Sequence, residues 1–167
     1  MWEGEANPSL DVQSPPSGFN AMVFNYGDPY EVYQNDGPRM PVPKAFVSGL
    51  FTFNYHLLLK GTIGMVGVVF KPTTLHNFFG KRMSQLVNSR MDLKLLIPEK
   101  AELLWNKVKL ANSDIDRVNL LDEYVQSLLP NAKERLSVIE EAVELIDHHK
   151  GSIHVATVAD QLKISRR

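Results

Sequence analysis

The segment VIEEAVELIDHHKGSIHVATVADQLKISRR, residues 138–167, determines how the C-terminal part of the chain is predicted to fold. Its first half places apolar residues at helical spacing between acidic ones. These apolar residues are Val138, Ile139, Ala142, Val143 and Ile146. Gly151 follows two histidines and a lysine, as is typical of a helix end. A shorter amphipathic run follows from Val155 to Leu162, so the segment predicts two helices joined by a tight turn.

The second predicted helix has features of a helix-turn-helix. Ala159 is a small residue where two helices would cross, and a larger side chain would hold them apart. Ile164 would fill the core just before a third helix, for which Ser165 is a suitable N-cap. Arg166 and Arg167 would then begin that helix, near phosphates or base edges. A simple helical hairpin explains the same periodicity and remains the alternative.

The segment resembles the start of the DNA-binding domain of AraC/XylS-family transcription regulators. The resemblance is carried by Ile139, Ala142, Ile146, Gly151, Val155, Val158-Ala159 and Leu162-Lys163-Ile164-Ser165-Arg166-Arg167. It implies a bacterial, cytoplasmic regulator in which Ser165, Arg166 and Arg167 contact DNA. Lys163 departs from the pattern, because many helix-turn-helix sequences have glycine there. In the family, more recognition helix and a second helix-turn-helix follow, so we expect the sequence to be a fragment.

The N-terminal half is predicted to consist of short strands. Stretches rich in β-forming residues alternate with Gly, Pro and Asn turn signals. The predicted strands are residues 19–26, 30–34, 45–50, 51–59 and 62–70, with a short edge strand near 2–6. Lys60-Gly61 fits a hairpin turn between the last two. This pattern predicts a small antiparallel β-sandwich or barrel, with which a cupin-like form is compatible.

Helices are predicted after the strands, which makes the expected fold class α+β. One short helix begins at Thr73 or Thr74 and ends at Gly80, and a longer one begins at Pro98 and reaches Leu110. The next begins at Ser113 or Asp114, with a predicted buried face of Ile115, Val118, Leu121, Tyr124, Val125 and Leu128. Pro130-Asn131 ends it and marks the expected boundary between a β-rich domain, 1–130, and a truncated helix-turn-helix domain, 131–167.

The front part also resembles the N-terminal domain of certain bacterial AraC-type regulators. The matching motifs are Pro16-Ser17-Gly18, Val23-Phe24-Asn25, Gly27-Asp28-Pro29, Phe46-Val47-Ser48-Gly49 and Gly67-Val68-Val69-Phe70-Lys71-Pro72. Such domains are implied to bind an effector, to dimerise, or both.

Side chains of the predicted strands are also candidates for lining a small ligand cavity with a few polar anchors. The candidate ligand-binding residues are Asn25, Tyr26, Phe53, Asn54 and His56. Ordinary core packing explains the same residues without a ligand.

Composition and motifs give no indication of an enzyme. The chain has no cysteine and a net charge of −1, so neither a thiol site nor a global basic field is present. No nucleotide-binding or nucleophile motif occurs. Adjacent His148 and His149 point about 100° apart on a helix and do not form a metal site. Carboxylates such as Glu140 and Glu141 are assigned to a solvated helix face. We therefore expect no catalytic residue, no metal and no cofactor.

The expected partners are DNA for the full-length protein, an unidentified small-molecule effector and a second copy in a homodimer. No apolar run has the length of a membrane helix, so no membrane contact is expected. One alternative is a stand-alone small-molecule-binding or enzymatic β-barrel with a helical tail. Another is a helical interaction module with a dimer face on residues 115–128 and 138–146. We also expect the apolar residues Val143, Ile146, Val158 and Leu162 to pack against the β-rich domain or a neighbouring chain.

Overall fold

The structure, a computed structural model, describes residues 1–129 and 137–165. Its strands are β1 (Trp2–Ser14), β2 (Asn20–Asn25), β3 (Glu31–Tyr33), β4 (Met40–Pro41), β5 (Ala45–Ser48), β6 (Tyr55–Phe70) and β7 (Arg90–Asp92). Its helices are α1 (Thr74–Phe79), α2 (Pro98–Leu110), α3 (Asp114–Leu128), α4 (Ser137–His148) and α5 (Val155–Gln161). Short 3-10 turns occupy Met83–Gln85 and Leu93–Leu95.

The strands form one curled antiparallel sheet, an incomplete barrel, which confirms the expected α+β class. The order is β4-β3-β6-β2-β5-β7, and β1 pairs with the other edge of β6. Leu58 of β6 is paired with Asp11 of β1 and with Glu31 of β3, while Met65 is paired with Trp2 of β1 and Asn25 of β2. Strand β6 therefore has partners on both edges and joins β1, β2 and β3 into one sheet.

The predicted hairpin at Lys60-Gly61 is wrong, because β6 is one strand of sixteen residues. Ala6 pairs with Gly61 and Leu10 with Leu59, so β1 bulges between those two pairs while the ladder continues on both sides. Gly61 takes a positive φ of 67°, which glycine adopts without strain. The N–H of Thr62 donates to Asp28 Oδ2 at 2.8 Å. The partner strand β1 is accordingly thirteen residues long, not the short edge predicted.

Two hydrophobic cores lie on opposite faces of β6. Side chains alternate between the two faces of a strand. The odd-numbered residues of β6 therefore join a core inside the curl of the sheet. Its later even-numbered residues join a core beneath the helices. The inner core contains Ala6, Tyr30, Val32, Leu59, Ile63 and Met65. The helix-covered core contains Met22, Phe24, Ala45, Val47, Val66, Phe70, Leu75, Leu86, Leu93, Ala101, Leu104, Val108 and Leu121.

Helices α2 and α3 cover the second core. Pro98 occupies the first turn of α2, as predicted, and Trp105 Nε1 donates to the Asn25 carbonyl at 2.8 Å. The Ser113 hydroxyl caps α3 by accepting from the N–H of Asp116 at 3.2 Å. Leu121 is buried, with Tyr124 and Val125 beside the core, but Ile115 and Val118 are 72% and 50% exposed. The predicted buried face is therefore wrong in the first turns of α3. There Arg117 points inward, and its side chain is only 13% exposed.

Replacement of Gly49 by alanine is expected to destabilise the fold. A Cβ at this position would overlap the backbone carbonyl of Leu86, which cannot move away freely because Leu86 is buried in the core. We expect Gly49→Ala to lower the free energy of unfolding by about 2 kcal/mol, the scale of overpacking. Urea denaturation measures it. Gly4→Ala is the matched control, because its Cβ would meet nothing within 4 Å. Equal stability of the two variants would contradict the close approach.

Tyr30 is expected to make the fold sensitive to alkaline pH. Burial raises the pKa of the Tyr30 hydroxyl to about 12, against a smaller lowering effect of Arg90. Since the folded pKa exceeds the unfolded value of about 10, the stabilisation is complete below pH 10 and is lost as the pH rises through the folded pKa. Relative to that of Tyr30→Phe, the free energy of unfolding of the unmodified chain should fall by up to roughly 3 kcal/mol across this pH range. Urea unfolding at increasing pH measures the difference, and parallel curves would refute it.

Candidate functional site

Helices α4 and α5 form the pair that the C-terminal sequence predicts. The Gly151 N–H donates to the Ile146 carbonyl at 2.9 Å and the Lys150 N–H to the Asp147 carbonyl at 2.8 Å, which ends α4. Gly151 has a φ of 77°, a left-handed conformation common at helix ends. The chain then enters α5 at Val155. The glycine is therefore the turn residue of this helix pair.

The end of α5 places Lys163 in a conformation that favours glycine. Val158 and Ala159 are buried, as the small-residue prediction requires. The Ile164 N–H donates to the Ala159 carbonyl at 3.0 Å, and Lys163 has a φ of 54°. This left-handed backbone favours glycine, which accounts for the glycine that many helix-turn-helix sequences have there. Ser165 is exposed, and Arg166 and Arg167 lie outside the described residues.

Helix α4 is joined to the sheet through two of its glutamates. Glu140 Oε1 accepts hydrogen bonds from Thr73 Oγ1 at 3.2 Å and from Asn77 Nδ2 at 3.1 Å. Lys71 Nζ lies 3.3 Å from Glu144 Oε1. Glu140 is partly buried, so its assignment to a solvated face is wrong. A hydrophobicity pattern cannot identify its partners, because they are more than sixty residues away in sequence.

The segment contacted by these glutamates is itself anchored to the sheet. Asn20 of β2 is fully buried and its Nδ2 donates to the Pro72 carbonyl at 2.7 Å. Residues 71–77, which comprise the β6–α1 connection and the start of α1, therefore bridge β2 and α4. We call this stretch the bridging segment.

A cleft lies between the bridging segment and α4. One part is a cavity of about 230 Å³ lined by Thr73, Asn77, Phe78, Leu129, Glu140 and other residues of both elements. A wider part, of about 610 Å³, shares Lys71, Pro72, Val143 and Glu144 with it and extends to Phe19, Val69, Ile146 and Gly151. Val143 and Ile146 thus face the sheet-bearing part across this cleft, while Val158 is buried.

The candidate ligand residues Asn25 and Tyr26 lie at the end of β2. Asn25 is buried, and its Nδ2 donates to the Asp28 carbonyl at 2.9 Å, which stabilises the turn. The Tyr26 hydroxyl donates to Glu3, and the Arg117 guanidinium lies 4.2 Å from the centre of the Tyr26 ring. Burial, then the Glu3 hydrogen bond, raises the pKa of Tyr26. These contacts are explained by packing and turn formation.

The other candidate ligand residues lie elsewhere on the sheet. His56 Nδ1 is 2.8 Å from Asp11 Oδ1, and its ring stacks on Tyr33 with centroids 4.8 Å apart. The rings of Phe53 and Phe51 meet edge-to-face with centroids 6.0 Å apart, and Asn54 is exposed. Met65, the partner of Asn25, is nine residues beyond His56 on β6, about 30 Å along an extended strand. The five residues therefore form two separate groups, and ligand binding by either stays a prediction.

Two clusters that the sequence pattern does not predict each place a cationic side chain against aromatic rings. Arg90 lies 4.5 Å and 4.3 Å from the ring centres of Phe51 and Tyr55. Lys44 Nζ lies 3.8 Å from the centre of the Trp105 ring and 2.6 Å from Glu102 Oε1, and this contact lowers the pKa of the Glu102 carboxyl.

His148 and His149 have perpendicular rings with centroids 5.3 Å apart. No group of three or more potential metal ligands occurs among the described residues.

Comparison with known proteins assigns the family of the chain. Residues 1–92, more than half of the sequence, match the model described as domain of unknown function (DUF6597), and the chain belongs to this family. No curated protein is significantly similar in sequence. Among solved structures, the AraC-like transcriptional activator CuxR is similar with a TM-score of 0.38 and 16% identity, over 98% of this chain and 69% of that chain. At this level the two chains share too little structure for one to inform on the other.

The helices of the described ranges include none that is long and apolar enough to span a membrane.

Replacement of Ala159 by leucine is expected to disrupt the helix pair. Ala159 is buried where α5 packs, and a larger side chain has no room there. We expect a loss of about 1–3 kcal/mol in the stability of this unit, which hydrogen exchange of the α4 and α5 amides measures. Thr157→Leu adds apolar volume at an exposed position of the same helix and serves as the control. Equal exchange in the two variants would contradict the packing role of Ala159.

Proposed function

We propose that the chain is the N-terminal sensor or dimerisation region of an AraC-type bacterial transcription regulator, together with the first part of its DNA-binding domain. In this proposal residues 1–130 receive the signal and residues 131–167 begin the DNA-binding domain. The boundary between them falls within residues 130–136, which lie outside the described ranges. The protein would be cytoplasmic and would have no enzymatic activity.

The observation that carries the proposal is the agreement between the 139–167 sequence pattern and the local geometry of α4 and α5. The two helices meet through a left-handed glycine, the small residue Ala159 is buried, and Lys163 adopts the conformation for which glycine is usual at that position. A left-handed glycine is common at any helix end, but a plain helical hairpin does not also require the left-handed residue at Lys163. Their coincidence supports the helix-turn-helix interpretation.

The bridging segment suggests how a signal would reach the DNA-binding part. Effector binding or dimerisation that changes the sheet near Asn20 would alter the bonds that Thr73 and Asn77 make with Glu140. A ligand shifts such an equilibrium only by its difference in affinity for the two arrangements. The placement of α4, and of the DNA-contacting residues after α5, would then depend on the signal.

DNA contacts are proposed for Ser165, Arg166 and Arg167, where the sequence predicts the start of a third helix. An arginine pair at the start of a recognition helix would bind phosphates or base edges in the major groove. Because the net charge of the 167 residues is −1, a general electrostatic attraction to DNA would contribute little. We therefore expect the 167-residue chain alone not to bind DNA with sequence specificity in a gel-shift assay.

The test uses the gene that encodes this sequence. A reading frame that continues after Arg167 into another helix-turn-helix is expected, and its product should select particular sequences from a random DNA library. Arg166→Ala with Arg167→Ala should weaken that binding by at least about tenfold, the effect of losing one good base contact. Lys100→Ala, an exposed residue on α2, is the control.

The alternative is a stand-alone binding or enzymatic β-barrel with a helical tail. A stop codon directly after Arg167 would favour this alternative. A full-length product that enriches no DNA sequence would also contradict the proposal.

A further inference from the structure

We infer that Arg90 binds the carboxylate of a small acid with an apolar body inside the curl of the sheet, with the Tyr30 hydroxyl as a second donor. We call Arg90, Tyr30, Phe51 and Tyr55 the Arg90 site. Of the residues that the sequence pattern suggests for a ligand, Phe53 adjoins this site through the Phe51 ring. If the chain is a sensor, the site defines the chemical class of its ligand. The inference concerns binding alone, so its test requires no DNA.

The sheet places the Arg90 side chain inside the curl. Arg90 lies on β7, the last strand in the sheet order. Its neighbour Met91, paired with Val47 of β5, packs in the core beneath the helices. Because side chains alternate between the faces of a strand, Arg90 points to the opposite, inner face. There its guanidinium carbon lies 4.5 Å from the centre of the Phe51 ring and 4.3 Å from that of Tyr55.

The guanidinium of Arg90 has no anionic partner in the described part of the chain. No carboxylate oxygen of these residues lies within 4.0 Å of it, and no hydrogen bond reaches it. Asp92, two residues along the strand, accepts instead from the Lys94 N–H at 2.9 Å. Arginine presents five N–H donors, of which a carboxylate can accept two in parallel. Arg90 is partly exposed, so a ligand can reach these donors.

A buried hydroxyl near Arg90 supplies a second donor. Tyr30 is 4% exposed and belongs to the inner core. Its hydroxyl has no hydrogen-bond partner among residues 1–129 and 137–165, but its oxygen keeps accessible surface. Burial raises the pKa of Tyr30 to about 12, so the hydroxyl is protonated at neutral pH, and the charge of Arg90 acts on the same group. Buried donors without partners are rare, and a carboxylate held by Arg90 would accept from this one.

The surroundings of the two donors suit a singly charged ligand with an apolar body. Val12, Val42 and Leu57 are partly exposed and pack against the inner core that contains Tyr30. They would contact the apolar body of the ligand. One guanidinium and one neutral hydroxyl match the single charge of a carboxylate. A phosphate group carries up to two negative charges at neutral pH, more than Arg90 alone balances.

The test is a titration of the 167-residue chain with probes of one shape and different charge. At neutral pH 3-phenylpropionate is an anion, 3-phenylpropan-1-ol is neutral and 3-phenylpropylamine is a cation. The backbone ¹⁵N–¹H signals of β7 report binding at the Arg90 site. We expect saturable shifts with 3-phenylpropionate. The other two probes, and inorganic phosphate as a fourth, should bind at least about tenfold more weakly, the effect of losing a hydrogen bond between charged groups.

Variants separate the Arg90 site from general attraction to surface cations. Arg90→Gln should weaken 3-phenylpropionate binding at least about tenfold and Tyr30→Phe about fivefold, because each removes a donor to the carboxylate. Arg82→Gln removes the same charge from an exposed side chain and should leave binding unchanged. The dispersion of the ¹⁵N–¹H spectrum shows whether each variant is folded. Tyr30→Phe keeps the buried ring, so it decides the outcome if Arg90→Gln does not fold.

Four results would overturn the inference. They are the absence of saturable shifts with 3-phenylpropionate, equal affinity for the anionic, neutral and cationic probes, phosphate binding as tight as that of 3-phenylpropionate, and equal losses in Arg90→Gln and Arg82→Gln. Unchanged binding by Tyr30→Phe would contradict the role of the hydroxyl. None of these results bears on whether the full-length product selects DNA sequences, so the two proposals can fail separately.

Discussion

The hydrogen bonding of β6 along both of its edges is the constraint on which the rest of the structure depends. Strand β1 pairs with one edge of β6 from Tyr55 to Met65, while β3 and β2 pair with the other edge near its start and over its last six residues. Its side chains then alternate into two cores, one inside the curl and one beneath α2 and α3. Loss of register in β6 would exchange the faces and disturb both cores together. The bulge of β1 opposite Lys60 and the left-handed Gly61 let the sheet bend without such a slip.

The end of β6 also determines where the C-terminal helices can dock. Strand β6 stops at Phe70, and the bridging segment that follows is fixed by Asn20 on one side and by Glu140 on the other. These contacts are few and polar, unlike the apolar packing that holds α2 against the sheet. Contacts of this kind break at lower free-energy cost than a core does. We therefore expect the contacts of α4 with the bridging segment to open more readily than the packing of α2 and α3 on the sheet.

Local sequence signals predicted the elements whose ends depend on neighbouring residues. Gly80 ends α1, Pro98 begins α2, Ser113 caps α3 and Gly151 ends α4 through bonds within a few residues. The failures concern long-range pairing. Whether Gly61 makes a hairpin or a bulge depends on β1, more than fifty residues earlier, and the inward position of Arg117 depends on Glu3 and Tyr26. The predicted ligand residues do not share a location, because Asn25 and Tyr26 lie at the end of β2 and the other three near the start of β6. Alternation specifies a face of a strand and not a position in the sheet.

The cleft and the docking of α4 involve the same side chains, and this has a thermodynamic consequence. Lys71, Asn77, Glu140 and Glu144 both line the cavity and hold α4 to the sheet. A ligand that bonds to Asn77 or Glu144 must therefore change the free energy of docking, either by competing for these groups or by bridging them. Linkage requires the reverse as well, so any partner that repositions α4 must alter ligand affinity by the same factor.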